Sequence, residues 1–144
     1  MLVAHDTHVM VIDAARKSLL RNRGKDFALD LGRIDHRQRH SARTSDMGCD
    51  KPGRSFQSAA GSRSAYESTD YHQQEEDDFA EAAADQLNAL LTNGSTAILI
   101  APPHVLGVMR KRLTPEARSR ITAEIDKDYA QRSIADITAL LVSL

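Results

Sequence analysis

The feature that most constrains the fold is the apolar run from Thr96 to Ala101, TAILIA, which two prolines follow directly. The run is too short for a typical helix, and apolar residues at consecutive positions are typical of a strand that is covered on both faces. Pro102 and Pro103 end the strand, and Pro103 predicts the first turn of a helix that reaches about Leu113. Such a strand requires a sheet with helices packed on both sides.

The N-terminal part of the chain predicts three further strands. His8 to Asp13, HVMVID, is a short apolar run and is interpreted as a central strand. Lys17 to Asn22 is interpreted as a second strand, and a helix remains the alternative for this segment. Phe27 to Ile34 alternates roughly between apolar and small or polar residues, which indicates a third strand. Together the three segments predict an antiparallel meander.

Helical periodicity begins further along the chain, at Glu75. The acidic run at 75–78 is interpreted as the first turn of this helix, where the positive end of the helix dipole favours carboxylates. Asn93 and Gly94 predict its end, because glycine readily adopts the left-handed cap. One helical stripe carries the apolar residues Phe79, Ala83, Leu87, Leu90 and Leu91.

The last third of the chain predicts two more helices and one strand. Thr114 is the expected N-cap of a short helix, and Ile121 to Asp126 alternates as a half-buried strand does. Ser133 and Asp136 resemble a capping box before a final apolar helix. The predicted order β-β-β-α-β-α-β-α indicates one domain over residues 1–144, an α/β fold with a mixed five-stranded sheet flanked by helices.

Between about residues 36 and 72 the periodicity disappears. A loop of this length is unusual inside a compact domain, so we predict a long flexible basic segment that is functional or disordered. Its cations are Arg37, Arg39, Arg43, Lys51, Arg54 and Arg63. These residues predict contacts with RNA phosphates, because arginine binds phosphate oxygens in pairs, and a merely solvated loop remains the alternative.

A second basic cluster follows the double proline. It consists of Arg110, Lys111, Arg112, Arg118 and Arg120. Positive residues near the end of a helix also satisfy the helix dipole, so a capping role stands beside the RNA-binding one.

The totals exclude several classes of protein. A formal net charge of −1 gives no overall attraction to nucleic acid or to an anionic membrane, so any such binding must come from a local patch. Cys49 is the single cysteine and cannot form an internal disulfide, which favours a reducing compartment. No signal peptide and no sufficiently long apolar segment is visible. These features predict a cytoplasmic protein without membrane contact.

Five segments, taken in order, carry a resemblance to a known family. They are VIDAARKSLL, SDMGCDKPGRSFQS, QQEEDDFAEAAADQL, LIAPPHVLGVMRKRL and EIDKDYAQRSIADITALL. Together they resemble the bacterial host-attachment protein family over nearly the whole chain, and APPHVLGVMR and the aspartate-then-GR loop are the most specific parts. That family is similar to bacterial relatives of the archaeal and eukaryotic peptide-release factors and of Pelota. The resemblance implies their middle-domain fold, a ribonuclease-H-like mixed sheet.

The same resemblance bears on the activity to be expected. In release factors the loop after the meander carries Gly-Gly-Gln, whose glutamine reaches the peptidyl-tRNA ester. Here the corresponding loop reads Gly53-Arg54-Ser55-Phe56-Gln57-Ser58, with Ser55 and Phe56 in place of the two glycines. Because glycine permits backbone shapes that other residues resist, we do not expect peptide release from this chain. The expected function is a non-enzymatic module that binds the ribosome, rRNA or tRNA.

The candidate binding residues come from both basic segments. They are Arg43, Asp46, Gly53, Arg54, Gln57, Arg63, Arg110, Lys111 and Arg112. No cofactor and no metal is predicted, because the histidine pairs His5/His8 and His36/His40 lack partners at zinc-site spacing. No oxyanion site or orienting group is visible for Cys49 as a nucleophile.

Two alternatives of other classes remain. A metal-dependent nuclease or hydrolase would use converging carboxylates, for which Asp13, Glu124 and Asp126 are the candidates. Asp13 is interpreted rather as a turn former, and the other two as the wet face of a strand. The second alternative is a regulatory protein-interaction module that affects bacterial attachment. The protein partner and the oligomeric state are left open.

Overall fold

A computed structural model of the chain describes residues 1–25, 28–39 and 58–144, with the backbone alone for residues 58–70. The strands are β1 (His8–Ile12), β2 (Arg16–Asn22), β3 (Leu31–Gln38), β4 (Ala97–Ala101) and β5 (Ile121–Asp126). The helices are α1 (Ser58–Leu90), α2 (Pro103–Arg112), α3 (Pro115–Arg120) and α4 (Ile134–Ser143), and a 3-10 turn (Leu91–Asn93) follows α1.

The five strands form one mixed sheet in the order β3-β2-β1-β4-β5. The strands β1, β2 and β3 are antiparallel neighbours, whereas β1 and β4, and β4 and β5, run parallel. The parallel pairs follow from the connections, because α1 leads to β4, and α2 with α3 leads from β4 to β5. The predicted mixed five-stranded sheet flanked by helices is confirmed.

Apolar layers cover both faces of the sheet. Along β1 and β4 alternate residues point to opposite faces, and every residue of both strands is buried. Met10 and Leu99 pack on one face with Leu87 of α1 and Met109 of α2. Helix α4 packs on the other face of the sheet. The buried residues of this second layer come from the strands and from α4, and they are Val9, Val11, Ile98, Ile100, Ile137 and Leu141. Each buried aliphatic side chain contributes about 1.5–3 kcal/mol by leaving water.

The third strand lies four residues further along the chain than the alternation at 27–34 predicts. Asn22 accounts for the difference, because its Oδ1 accepts hydrogen bonds from the backbone N–H groups of Gly24 and Asp30, both at 3.0 Å. These bonds hold a wide loop between β2 and β3. Pairing with β2 then begins at Leu31 and reaches Gln38, so the edge strand includes polar residues that periodicity assigns to a loop.

The first helix begins at Ser58, well before the predicted start at Glu75. Its N-terminal half has few large apolar residues, so no stripe marks it in the sequence, although its alanine, arginine and glutamate residues favour helix. The acidic run at 75–78 therefore lies inside the helix, and its interpretation as a first turn was wrong. With β3 reaching Gln38, the predicted loop at 36–72 is shortened at both ends, and residues 40–57 lie outside the described part.

Several local predictions are confirmed. The segment after Lys17 is a strand and not a helix. Thr114 Oγ1 accepts a hydrogen bond from the N–H of Ala117 at 3.1 Å, and Ser133 Oγ accepts one from the N–H of Asp136 at 3.1 Å. Among the described residues, none of the helices combines the length and the apolar character that crossing a bilayer requires.

Candidate functional site

A cleft of ≈ 700 Å³ lies between the β2–β3 edge of the sheet and α1. We call it the β3–α1 cleft, and its walls include Lys17, Asp35, Arg37, Glu75, Phe79 and Gln86. Charged side chains of the strands and of the helix line the space between them. It borders Arg39, after which residues 40–57 connect β3 to α1.

The floor of the cleft holds a buried lysine. The side chain of Lys17 is 9% exposed, and its Nζ donates a hydrogen bond to Gln86 Oε1 at 2.5 Å. Gln86 Nε2 donates to Asp35 Oδ2 at 3.0 Å, and Lys17 Nζ lies 3.6 Å from the same oxygen. The hydrogen bond from Gln86 lowers the pKa of Asp35, and the charge of Lys17 lowers it further. Asp35 is therefore an ionised carboxylate at the cleft floor.

An ion pair between Arg39 and Glu75 lies at one end of the cleft. Arg39 Nη1 is 2.9 Å from Glu75 Oε2, and the two side chains are 16% and 21% exposed. Arg39 is also held by the β1–β2 turn, since its Nε donates to the carbonyl oxygen of Ala14 at 3.0 Å. A hydrogen bond from the Tyr71 hydroxyl to Glu75 raises the pKa of Tyr71. These contacts attach the end of β3 to α1 and to the turn after β1.

Lys17, Arg37 and Arg39 line the cleft. Together with Arg16, which precedes Lys17 on β2 and points to the other face of the strand, we call them the basic edge. Lys17 and Arg37 are directly opposite each other in the β2–β3 register, so both side chains point to the α1 face. The side chain of Arg37 is exposed. Within the described part of the chain, no ion pair involves Arg16 or Arg37. Among the described residues they differ in this from Lys17 and Arg39, which contact Asp35 and Glu75.

Most predicted site residues of the long segment lie beyond the described residues. Arg43, Asp46, Gly53, Arg54 and Gln57 fall within 40–57. The backbone of Arg63 belongs to α1, but its side chain is not described. Their grouping into one binding surface stays a prediction.

The cluster at the end of α2 is arranged differently from the basic edge. Arg110 Nη2 lies 2.6 Å from Glu124 Oε1 on β5. Arg112 Nε donates to Asp85 Oδ1 on α1 at 2.9 Å, and its Nη1 lies 3.3 Å from Glu81 Oε2. These contacts join α2 to its two neighbours.

The ion pairs of Arg112 have an electrostatic consequence. The hydrogen bond from Arg112 lowers the pKa of Asp85, and Asp85 in turn raises the pKa of Arg112. Lys111 is exposed between Arg110 and Arg112. Arg110 and Arg112 thus have carboxylate partners within the molecule, whereas Arg16 and Arg37 have none among the described residues.

Two of the three carboxylates considered for nuclease chemistry, Asp13 and Glu124, have other partners. Asp13 Oδ1 accepts hydrogen bonds from the N–H groups of Ala15 and Arg16 at 2.8 and 2.7 Å, which confirms its interpretation as a turn former. Glu124 is bound to Arg110. Across the described ranges, no three His, Cys, Asp or Glu side chains lie close enough together to hold a metal ion.

Sequence reasoning did not single out Lys17, Asp35 or Gln86. One signal was present, because Lys17 is a charged residue next to the buried run Ser18 to Leu20. A buried lysine requires a polar partner, and the predicted strand and helix together could have provided it. The residue of α1 that contacts Lys17 is determined by the position and rotation of the helix on the sheet. The sequence does not show this position directly, so Gln86 could not be identified as the partner.

The comparisons with known proteins identify a family. A family model described as "Protein required for attachment to host cells" matches residues 8–141, from the first residue of β1 to α4. No curated protein matches the chain.

Proposed function

The chain belongs to the family of proteins required for attachment to host cells, and we propose that it is a non-enzymatic, translation-associated module that binds ribosomal RNA or tRNA through its basic edge. The resemblance to release-factor middle domains supports the link to translation. The replacement of the glycines of Gly-Gly-Gln by Ser55 and Phe56 argues against peptide release. A role in attachment would then be indirect, through synthesis of other proteins.

The observation that carries the proposal is the position of Arg37 opposite Lys17. Like charges on facing residues of antiparallel strands destabilise the pair, so the arrangement favours binding of an anionic group, such as an RNA phosphate, that relieves the repulsion. Arg16 precedes Lys17 on β2 and adds a further charge at the same edge of the sheet, on the other face of the strand. Residues 40–57 follow β3 directly in the sequence, and they include the further cations Arg43, Lys51 and Arg54.

The ion pairs of Arg110 and Arg112 support a packing role for those two residues. A phosphate would have to displace Glu124 or Asp85 before either arginine could bind it. We therefore assign the main RNA contact to the basic edge. The pair Arg110 and Arg112 provides a control with the same total charge.

A second candidate is a regulatory protein-interaction module that acts on attachment, and the family description favours it. It differs from the first in requiring a protein partner that remains bound after RNase treatment.

Fractionation of a cell lysate on a sucrose gradient tests the proposal. The protein should sediment with ribosomal particles at low salt and leave them as salt rises. The double variant Arg16→Gln/Arg37→Gln should shift to the top of the gradient. The control Arg110→Gln/Arg112→Gln, which removes the same charge, should sediment more nearly like the unchanged protein. Circular dichroism checks that both variants are folded.

Three results would overturn the proposal. The first is that the protein is absent from ribosomal fractions at low salt. The second is that Arg16→Gln/Arg37→Gln sediments like the unchanged protein. The third is that the association persists after RNase treatment. The last result together with capture of a specific protein would support the regulatory module instead.

A further inference from the structure

We propose that the β3–α1 cleft binds one phosphate-bearing nucleoside unit, either a free mononucleotide or one nucleotide of an RNA strand. The free-nucleotide form is independent of the proposed function, whereas the RNA form rests on it. The volume of ≈ 700 Å³ fits a ligand of this size, because small-molecule sites measure about 300–1,000 Å³.

Lys17 and Arg37 would hold the phosphate. An ammonium group has three donors, and among the described residues one is used in the bond from Lys17 to Gln86. The distance of 3.6 Å from Lys17 Nζ to Asp35 Oδ2 exceeds that of a hydrogen bond, so it leaves donors of this lysine for a ligand. The exposed guanidinium of Arg37 lies on the same face and can bind two phosphate oxygens.

The rest of the cleft suits the nucleoside part. Phe79 lines it beside the small residues Ala82 and Ala83, and together they offer an apolar wall against which a base can stack. The carboxylates of Asp35 and Asp78 also line the cleft and can accept hydrogen bonds from ribose hydroxyls or from amino groups of a base. The presence of both signs of charge favours a ligand with an anionic end and a donor-rich end over a simple polyanion.

The contact between Lys17 and Asp35 supports a ligand role over a purely structural one. Burial of a lysine costs free energy, which a close and fully enclosed ion pair can offset. Here the pair is loose, at 3.6 Å, and the Asp35 side chain is 43% exposed. Among the described residues, Lys17 donates one hydrogen bond and has one loose ion pair. A polar ligand bound in a cleft of nucleotide size would complete its set of partners.

Titration of the ¹⁵N-labelled full chain, followed by NMR, tests the proposal. The probes are the four nucleoside 5′-monophosphates, the corresponding nucleosides, inorganic phosphate and a short single-stranded RNA. At least one monophosphate should give saturable shifts in β2, in the end of β3 and in α1 from Phe79 to Gln86. It should bind at least about tenfold more tightly than its nucleoside or phosphate alone.

The source of the ligand follows from the RNA arm of the titration. Tighter binding of the RNA than of the monophosphates, with shifts in the same residues, assigns the cleft to an RNA strand. Binding of a monophosphate without any effect of the RNA on these residues assigns it to a free nucleotide. Both results support the site. It is overturned by inorganic phosphate binding as tightly as the monophosphates, by shifts elsewhere, or by the absence of saturation up to about 10 mM of every probe.

Variants separate the two parts of the site. Arg37→Gln, at an exposed position, should weaken monophosphate binding about tenfold and leave nucleoside binding unchanged. Phe79→Leu should weaken the binding of both the monophosphate and the nucleoside. The control Arg110→Gln should change neither affinity. Lys17→Met should abolish monophosphate binding, and Arg37→Gln carries the test if that variant does not fold. Unchanged affinity in Arg37→Gln would contradict the proposal.

The site and the proposed function can fail separately. Nucleotide binding in the cleft without co-sedimentation with ribosomes would refute the translation role and retain the site. Co-sedimentation with ribosomes without ligand binding in the cleft would refute the site and retain the translation role.

Discussion

Arg39 and Glu75 form an ion pair of 2.9 Å between the end of β3 and α1, although 36 positions separate them in the chain. The pair joins the end of β3 to the middle of α1, which begins at Ser58. The backbone N–H of Arg39 also donates to the carbonyl oxygen of Ala15 at 2.7 Å, so the β1–β2 turn is part of the same junction. The position of the basic edge beside α1 depends on these contacts.

Removal of one partner of this ion pair should destabilise the fold. Arg39→Gln or Glu75→Gln leaves a mostly buried charge without its counter-ion, so the free energy of unfolding should fall by roughly 2–3 kcal/mol, below the ~3–5 kcal/mol of a fully buried pair. Urea denaturation measures the change. In a double-mutant cycle, the two substitutions together should cost less than the sum of the single ones. Strict additivity would show that the pair does not couple β3 to α1.

The stability of the protein should fall as pH decreases below 6.5, and His8 should contribute to that fall. Burial lowers the pKa of His8 from its ordinary value of 6.5, so the unfolded chain binds a proton at a pH where the folded chain does not. The contribution is complete above 6.5 and is lost as pH decreases from there toward the folded pKa. His8→Phe should flatten this part of the curve of unfolding free energy against pH.

Two features of the same curve check the assignment. His5→Gln, at an exposed histidine, should leave the fall below 6.5 in place. A second fall should begin below 3.8, because hydrogen bonds lower the pKa values of Asp6, Asp35, Asp77 and Asp85 in the folded protein. A His8→Phe curve identical to that of the unchanged protein between pH 5 and 6.5 would refute the role of His8.

Two glycines should respond to alanine with opposite signs. Gly94 has a φ of 88° after the 3-10 turn, a conformation that alanine resists, so Gly94→Ala should destabilise the protein by about 1 kcal/mol. Gly107 lies inside α2, and an added Cβ there meets no atom within 4 Å. Gly107→Ala should therefore stabilise the protein by roughly 0.5–1 kcal/mol. Thermal unfolding of the two variants measures both effects, and changes of the same sign would contradict the assignment.

The packing of α1 on the sheet predicts a large effect at Leu87. This fully buried residue lies in the apolar layer with Met10 and Leu99, so Leu87→Ala should lower the free energy of unfolding by about 2–5 kcal/mol. Val142→Ala, at an exposed residue of α4, is the control and should change it by less than about 0.5 kcal/mol. A small effect at Leu87 in urea denaturation would mean that α1 does not cover the sheet as described.

Elements that carry their own local signal were predicted well from the sequence. Strand β4 is apolar at every position and ends at two prolines, so both its type and its limits were visible. The caps at Thr114 and Ser133 depend on contacts with residues three positions away, which the sequence contains directly. The order of the elements followed from such signals.

Features that depend on distant partners were not predicted. The limits of β3 are set by its pairing with β2 and by the loop that Asn22 holds, and neither leaves an alternating pattern. The cleft depends on Gln86 meeting Lys17 across 69 positions. The ion pairs of Arg110 and Arg112 also connect distant elements, so the sequence could not distinguish these arginines from the less paired Arg37.

The most direct test of the central claim is the affinity of the purified protein for a single-stranded RNA, measured by fluorescence anisotropy over a range of salt concentrations. The logarithm of the binding constant should fall linearly with the logarithm of salt concentration, and Arg16→Gln/Arg37→Gln should make the slope shallower by roughly 1 to 2. The slope of Arg110→Gln/Arg112→Gln should stay close to that of the unchanged protein. The claim is contradicted if the RNA does not bind at low salt, or if both double variants have the slope of the unchanged protein.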